Sequence, residues 1–161
     1  MRDLLEAIRD RLRAQLGTNL DANRVQITAT GEGTPTTPQP PYVEVQDAGQ
    51  TPIRYASRLQ ETVYHVRVLV HQKVLQREKL VLGSEGDDNK PRPATVTLAK
   101  QVQDLLNDWD PVDSLAVRLG FDVSAYLGTT ETQVNDPERV AATQCSLTFD
   151  FTRFNTVTQP V

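Results

Sequence analysis

Hydrophobic positions along this chain change period several times, and each period names an element. Leu4, Leu5, Ile8, Leu12 and Leu16 recur at helical spacing with charged residues on the other face, so LLEAIRDRLRAQL predicts an amphipathic first helix. Gly17 stands at its expected C-terminal cap. In RVQITAT, residues 24–30, Val25, Ile27 and Ala29 alternate with polar residues, the period of a short strand. GEGTPTTPQPP, residues 31–41, holds four prolines and two glycines, predicts an extended surface loop, and runs into PYVEVQ, a second strand.

Residues 48–59, AGQTPIRYASRL, read as a connection carrying Arg54, Tyr55 and Arg58. In TVYHVRVLVHQ, residues 62–72, Val63, His65, Arg67, Leu69 and His71 fall on one side, while Tyr64, Val66, Val68 and Val70 fall on the other. That is a half-buried strand. Residues 73–93 contain Val74, Leu75 and Leu80–Leu82, which fit a short helix or a hairpin, and then a loop from Gly83 to Pro93. A loop of that length inside a compact domain marks contact with something else.

Leu98, Val102, Leu105, Leu106 and Trp109 form one stripe of a second helix, with Pro93 before it and Pro111 stopping it. SLAVRLGFDVSAYLG, residues 114–128, alternates Leu115, Val117, Leu119, Phe121 and Val123, which predicts a long strand with Gly120 at a bulge. GTTETQVNDPER follows as a polar loop. CSLTFDFTRF closes the sheet, with Cys145, Leu147, Phe149 and Phe151 inward and Ser146, Thr148, Asp150 and Thr152 outward. The expected fold is α+β: a mostly antiparallel sheet of about five strands with two amphipathic helices packed on one face. It forms one domain over residues 1–154, followed by a tail at 155–161. His65, Arg67, Thr148, Asp150 and Thr152 lie on the opposite, polar face.

Composition narrows the function. A chain of 161 residues is one domain by length, and 17 Lys and Arg against 21 Asp and Glu give a formal charge of −4. Nothing in that balance resembles the basic footprint of a nucleic-acid binder. Cys145 is the one cysteine, which rules out an intramolecular disulfide and predicts a core thiol. The N-terminal segment mixes Asp3, Glu6 and Asp10 with its arginines, no run is long enough to span a bilayer, and a soluble protein made in a reducing cytoplasm is expected.

The search for chemistry is mostly negative. No phosphate loop, dinucleotide fingerprint, H-E-x-x-H, nucleophile elbow or paired Cys-x-x-Cys is present. His65 and His71 are six strand residues apart, about 20 Å at roughly 3.3 Å per residue, too far to share a metal. Asp108, Asp110 and Asp113 surround Trp109 at a helix end and read as a solvated turn, with cation chelation as the alternative. Glu85, Asp87, Asp88 and Asn89 lack the spacing of a calcium loop and read as an exposed or partner-facing tip. No cofactor, metal site or catalytic group is expected.

The order of elements carries a resemblance: LLEAIRDRLRAQL, a short strand, the proline-rich run into PYVEVQ, TVYHVRVLVHQ, ATVTLAKQVQDLLNDW, and a last strand ending LTFDFTRF. Over residues 1–154 this resembles the tail terminator (tail completion) proteins of long-tailed and contractile-tailed bacteriophages. Those are small α+β subunits that close the end of the tail tube as a ring, usually of six, and offer the neck a docking surface. The resemblance implies a structural virion protein assembled in the host cytoplasm and no enzyme. Its partners would be further copies of itself, the tail tube protein and the neck or connector protein, with DNA passing unbound. Arg54, Arg58, Glu85, Asp87, Asp88, Lys90 and Arg92 are the candidate interface residues. Alternatives are a neck adaptor, stopper or tube subunit, a soluble adaptor or assembly chaperone, or a small metal-dependent enzyme using His65 or His71 with one of the acidic clusters.

Overall fold

In the computed structural model, described residues are 1–17, 20–28, 41–56, 59–73, 84–85, 91–92, 95–112, 118–122, 124–134 and 142–156. They form helix α1 (Arg2–Leu16), a 3-10 turn (Ala22–Arg24), β1 (Val25–Thr28), β2 (Tyr42–Ala56), β3 (Leu59–Lys73), β4 (Ser84–Glu85), β5 (Pro91–Arg92), helix α2 (Thr95–Leu106), β6 (Ala125–Val134) and β7 (Ala142–Thr156). Five strands make one sheet in the order β1-β2-β3-β7-β6, and β4 and β5 pair in a separate two-stranded ladder. Every pair in the large sheet is antiparallel except β1–β2. The architecture is α+β with a mixed five-stranded sheet.

Cross-strand register assigns the faces. Val43–Val70–Cys145 and Val45–Val68–Leu147 are rows of directly opposed residues, and Val66 faces Phe149. Opposed residues share a face. These side chains are buried in one cluster with Leu4, Ile8, Leu12 and Leu16 of α1 and Leu98, Val102 and Leu106 of α2. Each such side chain contributes about 1.5–3 kcal/mol when taken out of water. The stripes read from the sequence are therefore the core.

Polar ties fix the helices to that core. Arg13 donates from Nε and Nη2 to the Val25 carbonyl, at 3.1 and 2.8 Å, so α1 caps an acceptor of edge strand β1. Arg11 donates to the Leu105 carbonyl at 2.7 Å and lies 4.9 Å from the Trp109 ring centre. Beyond α2, the buried Ser124 accepts from the Trp109 N–H through Oγ and donates that hydroxyl to the Leu106 carbonyl. A helix end left with free carbonyls inside a protein is costly, and Ser124 removes one of them.

Several expectations are corrected. Residues 48–59 are largely strand: β2 continues to Ala56 through a bulge between Asp47 and Gln50, where Gly49 has φ +104° and donates to Asp47 Oδ1 at 2.8 Å. One extra residue there shifts the side-chain parity of β2. Glu44 and Gln46 face away from the helices before the bulge, and Thr51 and Ile53 do so after it. Of the strand expected over 114–128, residues 114–117 and 123 lie outside the described residues, and the described residues before Ala125 belong to no strand of the sheet. Arg118 bridges to Val112, Gly120 adopts φ +73° outside any strand, and β6 begins only at Ala125, inside the stretch expected to end that strand. The polar run from Gly128 to Val134 is strand rather than loop, because β7 supplies its partners from Thr148 to Ala142. Gly17 is the C-terminal cap of α1 as expected, in right-handed geometry with φ −58°. β7 also reaches Thr156, two residues into the expected tail, since Asn155 and Thr156 pair with Gln60 and Leu59. Within 73–93 the described residues give a small hairpin, while the expectations for residues 74–83, 86–90, 29–40 and 135–140 lie outside the described residues.

Truncating Phe149, fully buried in the row between β3 and β6, to Ala is expected to cost about 3–5 kcal/mol. Leu127→Ala, at an exposed position, should stay within about 0.5 kcal/mol. Urea unfolding followed by circular dichroism measures both.

Candidate functional site: the open face of the sheet

The sheet face turned away from the helices is built by alternate residues of the long strands. Its rows are Glu44–Leu69–Ser146, Gln46–Arg67–Thr148, Thr51–Val63–Thr152 and Ile53–Glu61–Phe154, with His65 opposite Asp150 beside the bulge. The face is not uniform. Tyr42, Leu69 and Gln46 are buried at one end, where Arg67 beside Gln46 is exposed, and Thr51, Ile53 and Phe154 are exposed toward the other.

Two histidines organise it. His65 Nδ1 lies 2.6 Å from Asp150 Oδ1, and His65 Nε2 lies 2.9 Å from Thr51 Oγ1. A carboxylate can only accept, so Nδ1–H donates to Asp150, and in the neutral imidazole Nε2 then accepts the Thr51 hydroxyl proton. Three strands are joined by this relay. His71 stacks on Tyr42, with ring centres 4.2 Å apart and planes within 9°, and its Nε2 lies 3.4 Å from Glu44 Oε2. Nε2 is buried with no hydrogen bond, so the contact with Glu44 is electrostatic. Burial, reinforced by the nearby Glu44 charge, pushes the Tyr42 phenol up to about 12.

Chemically, a hydroxyl, an imidazole and a carboxylate in sequence have the order of a nucleophile, its base and the base's orienting group. They stand on an exposed sheet face, where cross-strand hydrogen bonds of this kind also serve as ladder contacts. Each histidine has found a carboxylate other than those in the acidic clusters named from sequence. Asp110 pairs with Arg118 at 2.8 Å, and Asp108 accepts from the Asn107 amide at 2.8 Å. Among the described residues no group of three or more His, Cys, Asp or Glu could hold a metal ion. Nor is any described helix long and apolar enough to cross a membrane.

The interface candidates are scattered. Arg54 is in β2 opposite Gln60, near the β2–β3 turn, while Glu85 and Arg92 come together in the β4–β5 ladder, opposite Pro91 and Ser84. Arg58, Asp87, Asp88 and Lys90 lie outside the described residues. Sequence reasoning missed Thr51, Glu44, Tyr42, Glu61 and the exposed pair Ile53 and Phe154. The alternation of β3 and β7 was the available signal, and it stopped at the β2 bulge. No family model matches the chain, and no curated protein matches it.

His65→Ala and Asp150→Asn should each lower stability by about 1–2 kcal/mol, with the double variant costing less than their sum; a double-mutant cycle in urea reads the coupling. Tyr42 gives a pH signature. Its folded pKa is raised above 10.0, so its contribution is intact below pH 10.0 and is lost as pH rises toward about 12. Urea midpoints measured across that window should fall for the native chain, and Tyr42→Phe should flatten the decline.

Proposed function

We propose that this chain is a structural virion subunit that closes the end of a phage tail tube as a ring, six-membered in the proteins it resembles, and presents a docking surface to the neck. The observation that carries the proposal is a five-stranded sheet covered on one face, whose other face exposes Ile53 at 37% and Phe154 at 51% in a single cross-strand row. Large apolar side chains clustered on an open strand surface mark contact with another protein. The exposed Leu127, 58% accessible on edge strand β6, adds a second contact point, since β6 has no described neighbour on its outer side. A formal charge of −4 suits a ring that DNA passes without binding. The tail tube protein, the neck protein and further copies of the chain are its partners, and the virion is its place. A neck adaptor, stopper or tube subunit would draw on the same surfaces.

A hydrolase reading has one observation in its favour, the Thr51–His65–Asp150 relay. Activated esters separate the two: the assembly reading expects p-nitrophenyl acetate to be cleaved no faster by the native chain than by Thr51→Ala, and a Thr51-dependent burst would favour the enzyme.

Added to growing tubes of its tail tube protein, the chain should stop elongation and leave one extra ring at the tube end in negative stain. Tubes that keep growing, or that incorporate the chain along their length, contradict capping. Deleting residues 84–90 should weaken capping; unchanged capping removes the β4–β5 hairpin from the interface.

A further inference from the structure

Three strands run on past the core. Tyr64 and Phe151 face each other in the last row packed into the helix-side cluster, and β2, β3 and β7 continue beyond it to Ala56, Leu59 and Thr156. At roughly 3.3 Å per residue this ribbon reaches about 17 Å further. On its helix side the root is covered, since Thr62 is buried and the Arg153 guanidinium lies 5.6 Å from the Phe121 ring centre. Its outward side carries exposed Thr51, Ile53 and Phe154, with Glu61 between the last two.

Ile53, Phe154 and Leu127 are the exposed large hydrophobic residues among those described, and a bulge makes each of the two patches they form. The residue inserted into β2 between Asp47 and Gln50 sets Ile53 in the row of Phe154; with unbroken alternation Ile53 would face the helix side. In β6 the register shifts between Tyr126 and Gly128, and Leu127 leaves the alternation there, 58% exposed, with Ala125 and Thr129 exposed beside it. The buried Tyr42, Gln46 and Leu69 belong to β2 and β3, so the cover at that end of the sheet leaves the β6 margin open. Within one chain the patches stay apart. Leu127 lies beside the Thr148 row, and Phe154 is six residues further along β7, about 20 Å away.

We propose that the row of Ile53 and Phe154 in one copy seats on Leu127 at the β6 margin of the next copy, as the apolar centre of the contact between subunits. Glu61 stays at its polar rim. Two different patches make the contact heterologous, so each copy turns its ribbon toward one neighbour and its β6 margin toward the other. Repeated round a closed ring, this leaves the two ends of the assembly unlike. A subunit that meets a tube on one side and a neck on the other requires that polarity, and a two-fold contact through either patch alone would remove it. The proposal rests on the assembly reading in taking a second copy as the occupant.

Thiol crosslinking reads the geometry in a Cys145→Ala background, with Phe154→Cys, Leu127→Cys and both together, each variant checked for native circular dichroism. A short bismaleimide should leave each single variant uncrosslinked, join an equal mixture of the two into covalent dimers, and turn the double variant into a ladder that stops at the ring. Sedimentation velocity reads the strength of the contact. Phe154→Ser and Leu127→Ser should each weaken self-association at least about tenfold, and together less than the product of the two, because the side chains touch. Dimers from either single cysteine variant alone, no dimers from the mixture at any concentration, or serine losses that simply multiply would each overturn the contact. A chain that caps tubes without these crosslinks loses the contact and keeps the capping function, whereas one that crosslinks as described but never caps tubes does the reverse.

Discussion

A single layer of helix can bury only one face of a sheet, and the rest of this structure follows from that limit. α1 and α2 bring Leu4, Ile8, Leu12, Leu98, Val102 and Leu106 onto the inward rows of Val, Leu and Phe, and that burial holds the domain together. Neither described helix covers the outward rows, so their polar groups are satisfied across strands or by something other than those helices.

Two solutions coexist on that outward face. At one end, Tyr42 stacks on His71 above Glu44, and Leu69 is buried beside them. In the middle, Asp150, His65 and Thr51 link β7, β3 and β2 in one relay. At the other end the internal pairing stops: Ile53 and Phe154 stay exposed, and Glu61 between them has no described partner. Side chains with cross-strand partners thus fill one end and the middle of the face, and a bulky apolar row stays exposed at the other end.

Periodicity made much of this legible. α1, α2, β3 and β7 carry uninterrupted apolar stripes, and each lies where its stripe put it, including the outward set His65, Arg67, Thr148, Asp150 and Thr152. What failed were elements whose pattern is broken or weak. Gly49 inserts one residue into β2 and reverses its parity, so a strand of fifteen residues looked like a six-residue strand followed by a connection. β6 reads as a polar loop because an edge strand such as Ala125–Val134 takes its order from β7 more than from its own side chains. The apolar alternation upstream of it was misleading in its described part, since Phe121 is buried in the core from residues 118–122, which join no strand of the sheet, and Ser124 seals the end of α2. The site was less legible than the fold: the outward face was readable, but its pairing depended on the bulge and on register across three strands, which no local pattern encodes.

Native mass spectrometry of the purified chain over a concentration series, with negative-stain imaging of the same samples, addresses the central claim that this is a surface-driven, self-limiting assembly. One discrete closed species, seen as separate rings that keep their size once formed, is the expected result. A ladder of species growing without limit as concentration rises, seen as filaments or tubes, would contradict it.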